Sequence, residues 1–336
     1  MAGRSGRTWV RRFRKSNHRL IRAGQQHAKT LFLATCLIGL AACDPYGLQG
    51  TGGFAVPGLQ EPGAYSSLPP ESVVLSRYYA SVQAGLLAQG LLRTDGGGPD
   101  VPFTARDLVD DFIRIALFEE YTTIGGRIVA RQTPSQLHRW DRPVRMVVEF
   151  GATVPEAQRT IDRSNIAAFA SRLARVTGLP IRQVRSNANY HVFIVNELER
   201  RALAPRIREI LPGISEAAIQ AVQDMPRSTF CLVFALDPGE LGSYSQAVAV
   251  IRAEHPDLMR LSCIHEELAQ GLGLSNDSPS ARPSIFNDDE EFGLLTTHDE
   301  MLLRILYDPR MRAGMDAEEA RVQAEIIAAE LFGGDV

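Results

Sequence analysis

Glu266-Glu267-Leu268-Ala269-Gln270-Gly271-Leu272-Gly273-Leu274-Ser275-Asn276-Asp277 is the stretch from which the rest of the chain can be read. Glu266 and Gln270 are four residues apart, so on a helix they share one face. Glu267 stands beside them. Gly273 then ends the helix, because glycine alone enters the left-handed backbone region freely, and the bend carries the chain on to Asn276. Glu266, Gln270 and Asn276 thus stand before and after that bend, each with an oxygen-bearing side chain.

Upstream of this stretch, Val144–Phe150 and Tyr190–Val195 alternate or run apolar as strands, with the amphipathic helix Glu156–Val176 between them. A helical stretch, Glu197–Met225, follows. Thr229–Ala235 and Ser245–Ile251 are two further strands joined through Asp237-Pro238-Gly239-Glu240. The last third is helical, over Leu258–Leu272, His298–Tyr307 and Ala317–Leu331. Val73–Leu92 and Ala105–Glu119 have helical apolar spacing and precede the first strand, separated by a Gly-rich break. The expected fold class is α+β: a mixed sheet over residues 143–315, a helical extension over 71–142 before it, and a C-terminal helix over 316–336.

Laid on a known pattern, the central stretch resembles the metzincin class of zinc peptidases with its histidines replaced. Glu266, Gln270 and Asn276 fall on the three ligand positions, Glu267 on the catalytic glutamate and Gly273 on the turning glycine. Ser284-Ile285-Phe286-Asn287 is similar to the Met-turn, with Phe286 at the methionine position, and Leu295–Tyr307 is similar to the closing helix. The same segments resemble the domain-of-unknown-function 2927 family of proteobacterial lipoproteins, which implies no activity. The metzincin resemblance implies a substrate cleft able to take an extended peptide, with Ser245–Ile251 as its edge strand.

The substitutions change the chemistry that the resemblance implies. One carboxylate and two amide oxygens are hard ligands, unsuited to zinc and suited to calcium, magnesium or manganese. Two readings stand for Glu266, Gln270 and Asn276: a site for such a hard divalent cation, or a hydrogen-bonded network that binds or merely supports. The expected function is binding of a peptide or protein without cleavage. Its alternative is an atypical metallopeptidase with Glu267 as general base. His265 starts an H-E-x-x-H pattern, but Ala269 stands where the second histidine would be. Thr297 as N-cap and Glu300 three residues later are read as a capping box opening the helix that begins at about His298. Asn287–Glu291 is an acidic run read as a solvated loop.

The N-terminus speaks to location. Residues 1–30 are rich in Arg and Lys and hold no Asp or Glu, and Leu31–Leu40 is apolar. Such an apolar run is too short to cross a core of about 30 Å as a helix, so residues 1–42 are expected to be a signal peptide. Leu40-Ala41-Ala42-Cys43 resembles a bacterial lipobox. This implies acylation of Cys43, including palmitate-type chains, and a membrane anchor on the periplasmic face. Asp44 favours the inner membrane over the outer. Residues 43–70, rich in Gly, Pro and Ser, are expected to be a flexible tether. Overall composition, 45% hydrophobic and 22% charged with net charge −3, points away from nucleic acid. With Cys36 in the leader and Cys43 acylated, Cys231 and Cys263 remain, as one disulfide or two buried thiols.

Overall fold

The computed structural model of the chain describes residues 7–10, 68–124, 127–287 and 289–333, and for 7–10 and 120–130 the backbone only. The apolar run of the leader, Cys43 and the tether up to residue 67 lie outside the described residues. Among the described residues, no helix is long and apolar enough to cross a membrane.

The main sheet is built from β4 (Val144–Phe150), β5 (Ile181–Gln183), β6 (Tyr190–Val195), β7 (Cys231–Asp237) and β8 (Gln246–Arg252). A short strand, β1 (Arg7–Val10), is added at its margin, giving the order β1-β7-β8-β6-β4-β5. Strands β5, β4, β6 and β8 run parallel to one another. β7 runs antiparallel to β8. Burial on both faces explains why β6, β7 and β8 read as unbroken apolar runs rather than alternating ones. Alternate residues still separate. Cys231, Val233, Ala249, Ile251, Val192 and Ile194 face one core; Leu232, Phe234, Val248, Val250 and Phe193 face another.

The first core is covered by α3 (Glu156–Thr177), α7 (Asp257–Gln270) and α8 (Thr297–Tyr307). The second is covered by α5 (Ala204–Ile210) and α6 (Glu216–Gln223), with α4 (Glu197–Arg201) packed beside α6. These three short helices replace the single stretch expected over Glu197–Met225. Pro205 and the Pro212-Gly213 pair divide it, since proline clashes with the preceding turn and removes an N–H donor.

Buried ion pairs tie the layers together. Arg260 on α7 holds Asp162 on α3 through Nε at 2.8 and 2.9 Å, with both side chains at most 2% exposed. Arg252 at the end of β8 meets Glu197, which also pairs with Arg200 on α4. Breaking one partner of such a pair costs about 3–5 kcal/mol, because the other charge stays buried.

The extension differs from its expected form. α1 (Pro70–Ala88) and α2 (Ala105–Ala116) are helical, but Phe118–Ile124 (β2) and Arg127–Pro134 (β3) pair as an antiparallel two-stranded sheet. Their β-branched residues flank Gly125-Gly126 in sequence, a hairpin signal that the helical reading overlooked. Nor is the extension a separate body. Leu75 and Tyr79 of α1 and Leu108, Phe112 and Ile115 of α2 belong to the same apolar core as the sheet and α7. The last helix, α9 (Ala317–Gly333), adds Ala320, Ala324 and Ile327 to that core beside α2.

Two local expectations are corrected. The N-cap of α8 is Thr296, one residue earlier than expected: Thr296 Oγ1 accepts from the Asp299 N–H, and Asp299 accepts from the Thr296 N–H. The register is set by Asp299, which also receives Ser284 Oγ at 2.5 Å and the Ile285 N–H at 3.0 Å. The acidic loop is docked rather than solvated. Glu290 and Glu291 accept Leu92 and Arg93 N–H groups on their carbonyls, Asn287 and Glu290 are buried, and Glu291 pairs with Arg282 and Arg93.

Candidate functional site

Helix α7 lies across β7 and β8, and its final turn carries the candidate residues. A helix ends with four carbonyls lacking intrahelical donors. Here three buried side chains serve that end: Tyr190 Oη donates to Glu267 O at 2.7 Å, Trp140 Nε1 to Gly271 O at 2.8 Å, and Tyr307 Oη to Leu272 O at 2.8 Å. Burial raises Tyr190 and Tyr307 above the ordinary phenol range, which keeps both hydroxyls as donors. The close approach needs glycine. A Cβ on Gly271 would lie 2.1 Å from Tyr190 Oη, and one on Gly273 (φ +127°) would lie 2.1 Å from His138 O. None of Trp140, Tyr190 and Tyr307 was singled out in the sequence, where each is one aromatic among many.

Glu266, Glu267 and Gln270 are all at most 2% exposed. Gln270 Nε2 donates to Glu266 Oε1 at 3.1 Å, as their spacing of four residues allows. Gln270 Oε1 is buried without a hydrogen-bond partner among the described residues. Beside this pair, carboxylate oxygens of Glu266 and Glu267 and the sulfur of Cys231 all lie within 4.8 Å of one another. That sulfur is not a thiolate: a disulfide joins Cys231 on β7 to Cys263 on α7, with the two Cα atoms 5.9 Å apart.

Asn276 is engaged elsewhere. Its Nδ2 donates to Arg114 O at 2.7 Å, and its backbone N–H donates to Ile115 O at 3.0 Å. It therefore serves the last-turn carbonyls of α2, an element whose contact with this loop could not be read from local sequence. The structure ties Glu266 to Gln270 and binds Asn276 to the extension, so the expected convergence of three side chains is met by two.

The histidines are also accounted for. His265 stacks on Phe169 of α3 with ring centres 3.9 Å apart and planes 7° apart. Its Nδ1 accepts the Leu295 N–H at 3.2 Å, and burial, with Arg172 adding to it, depresses it to about 3. It is a neutral core imidazole. His298 lies 3.3 Å from Asp111 and 3.7 Å from Asp299. Burial opposes its charge, but the two carboxylates outweigh burial and raise it to about 9. Phe286 is fully buried in the main core, its N–H on Ser284 Oγ and its carbonyl receiving the Ser278 N–H.

These residues do not fit zinc. The position after the bend is committed to α2, His265 is stacked and already accepting a hydrogen bond, and the Cys231 sulfur is in a disulfide. The remaining donors, the Glu266 and Glu267 carboxylates and the free oxygen of Gln270, are all hard.

The Ser245–Ile251 segment is corrected as well. β8 is an interior strand, paired with β6 on one side and β7 on the other, so it offers no free edge. Beyond it lies β7, whose outer side carries β1 at the margin of the sheet. There β1 pairs antiparallel with it, Arg7 opposite Asp237 and Val10 opposite Phe234.

A search of curated proteins and a search of solved structures each return no match. A family model described as "Protein of unknown function (DUF2927)" matches residues 105–325, a span that starts at α2 and closes within α9. Since that span holds the whole β4–β8 sheet, the helix of the Glu266–Gln270 pair and more than half of the chain, the chain belongs to the DUF2927 family.

Proposed function

We propose that this chain is an envelope lipoprotein, held on the periplasmic face of a bacterial membrane by acylated Cys43, whose metzincin-like domain binds an extended peptide without cleaving it. Asp44 favours the inner membrane. The binding edge is β7. The observation that carries this reading is the seating of β1: an extended segment, Arg7–Val10, lies antiparallel along the outer edge of β7 as an added strand. Those four residues belong to the expected signal peptide. Cleavage before Cys43 would therefore vacate the edge and leave its N–H and C=O groups for another chain.

The replaced histidines fit a site that holds rather than hydrolyses. Without a Lewis acid, Glu267 has no water of lowered pKa to deprotonate. The rival reading, a hydrolase using Glu267 as general base with a hard divalent cation, draws on the closeness of the Glu266 and Glu267 carboxylates. Elemental analysis of protein purified without chelator, followed by a peptide-cleavage assay of the native chain against Glu267→Gln, separates the two.

The test of strand addition uses peptides selected from a random library against the chain beginning at residue 43. Selected peptides should lose at least tenfold in affinity when alternate backbone nitrogens are methylated. The uncleaved chain, with its own strand on β7, should bind them at least tenfold more weakly. Equal binding of methylated and unmethylated peptides would remove strand addition.

A further inference from the structure

A second pocket, independent of the α7 site and of the reading just given, opens at the carboxyl ends of β4, β6 and β8. Its volume is about 180 Å³, room for about six waters at about 30 Å³ each. Ala157, Gln158 and Ile161 of α3 line it, together with Asn196 after β6, Glu254 after β8 and Asp257 at the start of α7. From β4 the chain passes through α3 to β5 on one side, and β6 lies on the other side of β4. α3 covers one face of the sheet, and α5 and α6, which follow β6, cover the other. In open sheets with parallel strands, ligands bind at such a switch point, beyond the carboxyl ends of the strands.

Three observations describe what would bind. Glu254 is 3% exposed. Its Oε1 accepts Ser72 Oγ at 2.8 Å and the Glu197 N–H at 2.6 Å, while its Oε2 has no hydrogen-bond partner among the described residues. Secondly, α3 and α7 both begin after a proline N-cap, which offers its helix no side-chain acceptor; on α7 the Met259 N–H already donates to Gln83 Oε1 at 3.1 Å, so an anion there would take the Asp257 and Leu258 N–H groups. Their leading N–H groups and positive dipole ends suit an anion. Asp257 is already bonded to Arg260 at 2.7 Å. Thirdly, Ile161 supplies apolar surface, 47% exposed.

We propose that this pocket binds a small carboxylate with a short apolar tail, its oxygens held by Glu254 Oε2 and the starts of α3 and α7, its tail lying against Ile161. Burial raises the Glu254 carboxyl above its ordinary range, favouring the protonated form that donates to an anion. The carboxylate could belong to a free acid or to a peptide C-terminus.

Isothermal titration of the full chain with butyrate, its neutral analogue butyramide, and N-acetyl-dialanine tests this. Butyrate, the blocked dipeptide or both should bind, with butyramide at least tenfold weaker; the preferred acid names the source. Glu254→Gln keeps a donor and should bind within threefold of the native chain, and Glu254→Ala should lose at least tenfold. Ala157→Phe, at an exposed position, fills the mouth and should abolish binding while leaving thermal stability intact. Absence of binding by both acids, equal binding of butyramide, or unchanged binding by Ala157→Phe would overturn the proposal.

Discussion

Replacing Cys231 and Cys263 together by alanine should destabilise the domain by about 4 kcal/mol. The bridge closes a loop of 32 residues, and the chain-entropy relation for a loop of that length gives about 3.7 kcal/mol at 25 °C. Both cysteines are at most 2% exposed, so the voids left by the missing sulfurs add to the loss. For a domain of this size, about 2–4 °C per kcal/mol translates into a fall in Tm of about 7–15 °C. The assay is equilibrium urea unfolding followed by far-UV circular dichroism, comparing the native chain, the double variant, and the native chain held in excess dithiol. The variant should unfold at lower urea with a steeper dependence, because its unfolded ensemble is less constrained, and the reduced native chain should follow it. A loss below about 1 kcal/mol, or a native chain indifferent to dithiol in its unfolded state, would refute the view that this bridge closes the core between β7 and α7.

Three further outcomes follow from the same structure. The folded His298 value of about 9 lies above the ordinary 6.5, so its pairing with Asp111 and Asp299 contributes stability that is full below pH 6.5 and lost as pH rises through 9. The size is about 3 kcal/mol at about 1.4 kcal/mol per unit, and His298→Gln should flatten the alkaline fall in urea midpoint between pH 6.5 and 9.5. Gly273→Ala places a Cβ 2.1 Å from His138 O at φ +127°, and should cost more than about 2 kcal/mol in the same assay. Asp162→Ala removes the buried partner of the Arg260 guanidinium and leaves it only the exposed Asp257 as an ionic partner, and should cost about 3 kcal/mol, the lower end for a broken buried pair, with the double variant Asp162→Leu, Arg260→Met recovering most of it.

Most secondary structure was legible locally. The ends of β4 and β6 fall at Val144–Phe150 and Tyr190–Val195 as their patterns indicate: β6 is buried throughout and reads as an almost unbroken apolar run, while β4 is only partly buried and carries Arg145 and Glu149 among its apolar residues. Helices α3 and α7 followed from periodicity in the same way. The spacing of four residues likewise placed Glu266 and Gln270 on one face, and their hydrogen bond is a local consequence of helix geometry.

What only the tertiary structure decided is which groups meet across long sequence separations. An apolar strand looks the same in the middle of a sheet or at its margin, so β8 was mistaken for an edge although it lies between β7 and β6. Asn276 sits where the pattern put it, yet its carboxamide answers α2, 162 residues earlier, because buried carbonyls at a helix end take whichever donor the fold brings near. Glu254 drew no notice in the sequence; its isolation depends on Ser72, Glu197 and the helix starts around it. Periodicity is a property of neighbours in the chain, whereas burial, pairing and charge balance belong to neighbours in space.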